Sequence, residues 1–237
     1  MLLAVLAGCM GPSDETRIEE LRLVALRTDP AAVEVGEGFT LTLTVADPLA
    51  EGGEVLVWSC VPEVGCASEL RPLAEQLEVG WMAAGPLPLW ALACAPGRCG
   101  DLSGVADEDL QDPTGWLQEL PITGVSAGFR TVPVAASTEG TAVAPRNPTL
   151  EQVPDEPVAI AQGAAEEGAV LSFVASGAET AYGYATSGGF SAPSYGVSSS
   201  GEVELTWFAA EEPAPARLYV VFEDGLGGVA VWIGDAG

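Results

Sequence analysis

Histidine and lysine are both missing from this 237-residue chain, and each absence closes off chemistry. Without histidine there is no Ser-His-Asp or Cys-His nucleophile pair, no H-E-x-x-H metal helix and no imidazole proton shuttle. Without lysine there is no Schiff base and no P-loop ammonium for phosphate. Positive charge of any kind is scarce: eight basic residues, all arginine, face 34 acidic ones, for a net charge of −26. Such a surface repels phosphate backbones, so nucleic acid is excluded as a partner. No apolar run after residue 9 approaches the ~20 residues that span a bilayer. The segments Gly188-Gly189 and Ser198-Ser199-Ser200-Gly201 do not open a helix after a strand, so they read as loops, and no cofactor is expected.

The chain opens on the apolar run Met1 to Val5, followed by Leu6-Ala7-Gly8-Cys9. Small residues at 7 and 8 let a peptidase approach the backbone, and the Cys9 thiol can take a diacylglycerol before cleavage frees its amine for a further acyl chain. The motif resembles the processing site of bacterial lipoproteins. That resemblance implies a signal peptide over residues 1–8, a lipid on Cys9 and a polar tether over 9–17. No basic residue precedes the apolar run, and it is shorter than the 15 or more residues of a full signal, so the leader is expected to be truncated and the true start to lie upstream. Met10 stands where an aspartate would favour inner-membrane retention, which by resemblance implies the outer membrane or cell surface. The expected membrane contact is through the N-terminal lipid alone.

Four more cysteines follow, Cys60, Cys66, Cys94 and Cys99. An even number in an exported chain favours disulfides. Loops containing Pro62 and Gly65, and Pro96 and Gly97, can bring each near pair within the ~4.4–6.8 Å Cα separation of a disulfide, which predicts Cys60–Cys66 and Cys94–Cys99. Cross-pairing between the segments, a four-thiolate zinc site and reduced structural thiols are the alternatives.

The chain is 48% hydrophobic, enough for a real core, and its length allows one large domain or two small ones. Strand signals dominate. Leu21 to Leu26 reads as a strand ended by Asp29-Pro30. Phe39, Leu41, Leu43 and Val45 alternate with Thr40, Thr42 and Thr44, a half-buried strand with a threonine face. Glu54 to Trp58 is another. The order of a D-P turn, the approach Val33-Glu34-Val35-Gly36-Glu37-Gly38, a threonine-rich strand and a tryptophan strand resembles the opening of immunoglobulin-like and PKD-like domains of bacterial surface proteins. The resemblance implies that Trp58 packs between two sheets.

Residues 60–120 break the rhythm. Ser68 to Glu78 carries Leu70, Leu73 and Leu77 at helical spacing, and Asp112-Pro113 looks like the start of a helix through Leu120. Leu87 to Ala93 is an extended stretch between them. The whole predicts a partly helical, disulfide-stapled insertion in a first module over 18–137. Residues 138–148, rich in Thr, Ala and Pro, read as a linker. A second module over 149–237 has strands at 170–175, 181–186, 202–208 and 217–232, with a glycine-turn hairpin through Glu223 to Gly228. The expected fold is therefore mainly β: two immunoglobulin-like β-sandwich modules, folding independently.

Candidates for chemistry are few. Paired carboxylates could serve a glycoside hydrolase, but no local motif singles out a pair among so many acids. Asp107, Asp109 and Asp112 form the densest acidic cluster, a weak calcium candidate without the D-x-D-x-D-G spacing. Tyr182 and Tyr184 read as a strand face, and Phe190 and Tyr195 as exposed loop rings that could meet a glycan or protein. The expected function is that of a lipid-anchored cell-envelope protein with a non-catalytic binding or structural role. The alternatives are a calcium-dependent adhesion or carbohydrate-binding module and, less favoured, a carboxylate-based hydrolase.

Overall fold

The computed structural model describes residues 14–61, 64–99, 107–111, 113, 124–134, 144–154, 168–211 and 214–237. The protein is mainly β. Strands β1 (Arg22–Asp29), β2 (Gly38–Ala46), β3 (Glu54–Val61), β4 (Gly65–Pro72), β5 (Gln76–Met82), β6 (Leu87–Cys94) and β7 (Val125–Val132) build a first sandwich. Its sheets run β1-β2-β5 and β4-β3-β6-β7. The alternation read from the sequence drives it: Phe39, Leu41, Leu43 and Val45 point inward and meet Val55 and Val57 of β3 and Leu87, Leu89 and Ala91 of β6 in one buried cluster.

The second sandwich is made of β8 (Thr149–Gln152), β9 (Ala169–Ser176), β10 (Thr180–Ala185), β11 (Gly189–Phe190), β12 (Tyr195–Gly196), β13 (Glu202–Phe208), β14 (Ala216–Glu223) and β15 (Val229–Ala236). Its sheets run β11-β13-β9-β8 and β12-β10-β14-β15. Apart from the two-residue β11, this is the strand order of the first sandwich repeated. Phe173, Trp207, Phe222 and Trp232 fill the core between the sheets, with Phe173 edge-on to Phe222 and Trp232 at 5.3 and 5.2 Å.

Several expectations are corrected. Ser68 to Glu78 is not helical; it forms most of β4, a connection at Leu73 to Glu75, and the start of β5. The insertion expected over 60–120 therefore supplies three strands of the sandwich itself, and the helix among its described residues is α1 (Asp107–Gln111), five residues long. The helix expected from Asp112 falls mostly on residues outside those described. Trp58 is buried, but on the outer face of its sheet. It lies with Leu56, Cys60 and Leu92 beneath Leu110 of α1, and its indole N–H donates to the Leu110 carbonyl at 3.1 Å. β3 is thus covered on both faces, which explains why it lacks alternation.

Candidate functional site

The two sandwiches meet along an apolar seam. The outer face of β10, β14 and β15 presents Tyr182, Tyr184, Tyr219, Val221, Val231 and Ile233, and against it lie Val24 and Ala25 of β1, with Ile18 and Ala46. Arg22 caps the edge, its guanidinium 4.5 Å over the Tyr184 ring. The stretch expected to be a free tether through residue 17 is built into this junction at its described end. Buried Thr16 accepts the Phe190 N–H at 2.8 Å, and the Ile18 N–H donates to the Ala185 carbonyl at 2.8 Å. A segment preceding the first sandwich is thereby stitched onto the second.

At one end of the seam a cleft of about 580 Å³ opens between the Asp47 to Gly52 turn, Leu73 to Glu75 and the ends of β14 and β15. Arg217 crosses it. Its Nε and Nη2 donate to the two Glu75 oxygens at 2.7 and 2.9 Å, and its Nη1 reaches both Asp235 oxygens at 2.6 Å. Tyr219 donates to Glu75 at 3.3 Å. The hydrogen bonds from Glu75 and Asp235 raise the Arg217 pKa, and burial together with the Glu75 charge pushes the Tyr219 phenol up. The charged groups of the cleft pair with one another. Arg217 holds two carboxylates at once, one from each sandwich.

At the other end, residues 144–148, expected as linker, are held in place. The Asn147 amide donates to the Thr28 carbonyl of β1 at 2.8 Å, and its oxygen accepts the Val229 N–H of β15 at 2.9 Å, so one side chain bridges both sandwiches. Asp224 accepts the N–H groups of Arg146, Leu226 and Gly228 at 2.8, 2.9 and 2.6 Å. Burial alone would push its carboxyl up; these donors outweigh burial and hold it below the usual value. Gly228 is required here, because a Cβ would stand 2.0 Å from the Arg146 carbonyl oxygen.

The sequence-derived candidates are dispersed. Cys9 lies outside the described residues. The other cysteines form Cys60–Cys66 and Cys94–Cys99, with Cα separations of 4.0 and 5.1 Å, the near pairs and not the crossed ones. The first closes the β3–β4 hairpin; the second closes the turn after β6. Asp107 and Asp109 fall on α1, Asp109 exposed, while Asp112 lies outside the described residues. Among the described residues no group of three or more Cys, Asp or Glu could hold a metal ion. Phe190 is not an exposed loop ring: it is fully buried beneath Gly183, where a Cβ would stand 2.6 Å from its ring. Tyr195 is half-buried, its hydroxyl 2.8 Å from that of Ser191. Sequence reasoning missed Glu75, Arg217, Tyr219 and Asp235, and no local signal could have found them, since Arg217 and Glu75 are 142 positions apart.

No protein-family model matches the chain, and no curated protein does. Among solved structures, a cycloisomaltooligosaccharide glucanotransferase from Paenibacillus sp., complexed with cycloisomaltoheptaose, is similar at 15% identity over 49% of this chain, with a TM-score of 0.30. The match spans 15% of that enzyme's chain. A likeness at this level carries no argument about activity.

Proposed function

We propose that the protein is a lipid-anchored component of the cell envelope in which two sandwiches, locked side by side, serve a non-catalytic binding or structural role. The observation that carries the non-catalytic part is the seam cleft. Arg217 and Tyr219 reach across the seam to Glu75, and Asp235 holds Arg217 from its own sheet, so the polar groups of the cleft serve the junction. The anchor rests on Leu6-Ala7-Gly8-Cys9, and the oxidised state of the other four cysteines agrees with an exported protein. Expressed in a bacterial host behind a full lipoprotein leader joined ahead of Leu6, the chain should incorporate labelled palmitate and partition into detergent. Cys9→Ser should abolish both. Label retained by the variant overturns the anchor.

A further inference from the structure

We propose that the free edge of β5 is an interaction surface that takes an extended, neutral or basic segment of a partner protein as an added strand. This deepens the binding reading above by naming its surface and partner chemistry, and it does not depend on the lipid.

The argument starts from which backbone groups β5 leaves unused. In the ladder between β2 and β5, the Val45 N–H donates to the Glu75 carbonyl at 2.9 Å and the Ala83 N–H to the Glu37 carbonyl at 3.0 Å. In an antiparallel pair, residues that exchange hydrogen bonds alternate with residues that do not. Odd-numbered Leu77, Val79 and Trp81, opposite Leu43, Leu41 and Phe39, therefore bond to β2. Even-numbered Gln76, Glu78, Gly80 and Met82 direct their N–H and C=O away from it. β5 ends its sheet, so no described strand receives them. All four residues are exposed, Met82 at 64%, and a Cβ at Gly80 would meet open space.

Proteins normally blunt such an edge. The neighbouring edge, β4, carries the guard: Glu69 and Arg71 lie opposite inward-facing Val57 and Val55, pair with each other, and β4 stops at Pro72. β1 packs against the second sandwich, β7 and β15 both lie against β1, and β8, β11 and β12 are at most four residues long. β5 runs seven residues with no proline, bulge or inward charge, and it ends on an open, nearly flat patch of Gly80, Trp81 and Met82. That combination is the receiving edge of strand addition, where main-chain bonds supply the affinity.

Charge chooses the occupant. A second copy would bring another net −26 to an edge whose centre already carries Glu78, and like charges facing each other across strands destabilise the pair. A neutral or basic strand meets no such penalty.

The test uses the full chain and two seven-residue peptides of alternating valine and threonine, one ended by lysines and one by glutamates. Amide exchange is followed by NMR. The lysine-ended peptide should slow exchange at Glu78, Gly80 and Met82 by about tenfold or more, leaving the already slow Leu77, Val79 and Trp81 unchanged. The glutamate-ended peptide should bind at least about tenfold more weakly. Gly80→Pro removes an N–H that β2 does not use, so it should abolish binding with the melting temperature retained. Glu78→Lys should reverse the preference between the peptides and keeps the test decisive if the proline variant does not fold. Even-numbered amides already protected in the dilute free protein would overturn the proposal. So would failure of the lysine-ended peptide to protect them, or a concentration-dependent dimer that protects them without peptide.

Discussion

A single carboxylate shows how residue chemistry sets the shape of this molecule. Asp224 begins the β14–β15 turn and gathers the N–H groups of Leu226 and Gly228, while a third donor, from Arg146, arrives from 78 positions upstream. It shapes a turn and fastens the chain between the sandwiches with one group. Because its folded pKa lies below its unfolded value, the stability it contributes is fully present above the unfolded value near ~3.9 and is lost as the pH falls through the folded one. Asp224→Asn should therefore cost roughly 1–2 kcal/mol at pH 6, where charged acceptors outbind neutral ones. The gap between variant and wild type should stay constant down to about pH 5 and close below about pH 4. Denaturant titrations of both proteins at several pH values measure it; a gap indifferent to acid would show that the ionised form does not hold the turn.

At the scale of elements, the disulfides are local staples. Each closes a loop of about half a dozen residues, for which loop-closure entropy gives about 2 kcal/mol. Replacing both Cys94 and Cys99 by alanine should lower stability by about that amount and loosen the cover over Trp58, since Cys94 and Cys99 share its cluster; a red-shifted tryptophan emission together with a lower denaturation midpoint checks both parts. Elements with one buried face were legible in the sequence. β2, β9 and β13 alternate because a core lies on one side and water on the other, and the sequence reading placed a strand at each of the three. Ser68 to Glu78 was misread because leucine, glutamate, glutamine and alanine favour helix locally, while pairing with β3 and β2 decides the outcome. Two signals argued for strands: Pro72 inside the supposed helix, and Cys60 and Cys66 close enough to demand a hairpin. Trp58 was assigned to the wrong face because β3 is buried on both sides, and a residue's face cannot be read where periodicity is absent.

The seam decides how the whole molecule behaves. The stretch before Thr149 lacks apolar periodicity, which suggested two modules that melt separately. The seam is not in that stretch, however. It is made by Tyr184, Tyr219, Val221, Val229 and Ile233, scattered through strands whose other faces build the second core, and by Ile18 and Val24 from the other end of the chain. Contacts of that separation leave no local trace, so two sandwiches were legible and their junction was not. A fragment from Thr149 to Gly237 would expose that apolar face, lose the Thr16 and Ile18 hydrogen bonds at Phe190 and Ala185, and leave Arg217 without Glu75. Each apolar side chain returned to water costs up to about 1.5–3 kcal/mol, and the surface ion pair adds at most about 1 kcal/mol, so packing outweighs the salt bridge. Even a net loss of about 2 kcal/mol lowers the midpoint of a domain this size by roughly 10 °C. The full chain should thus melt in one transition by calorimetry, and the fragment should melt at least about 10 °C lower or show no cooperative transition at all. A fragment that melts at the temperature of the full chain would mean that the seam is a contact between two independent bodies, with Asn147 a hinge and not a brace.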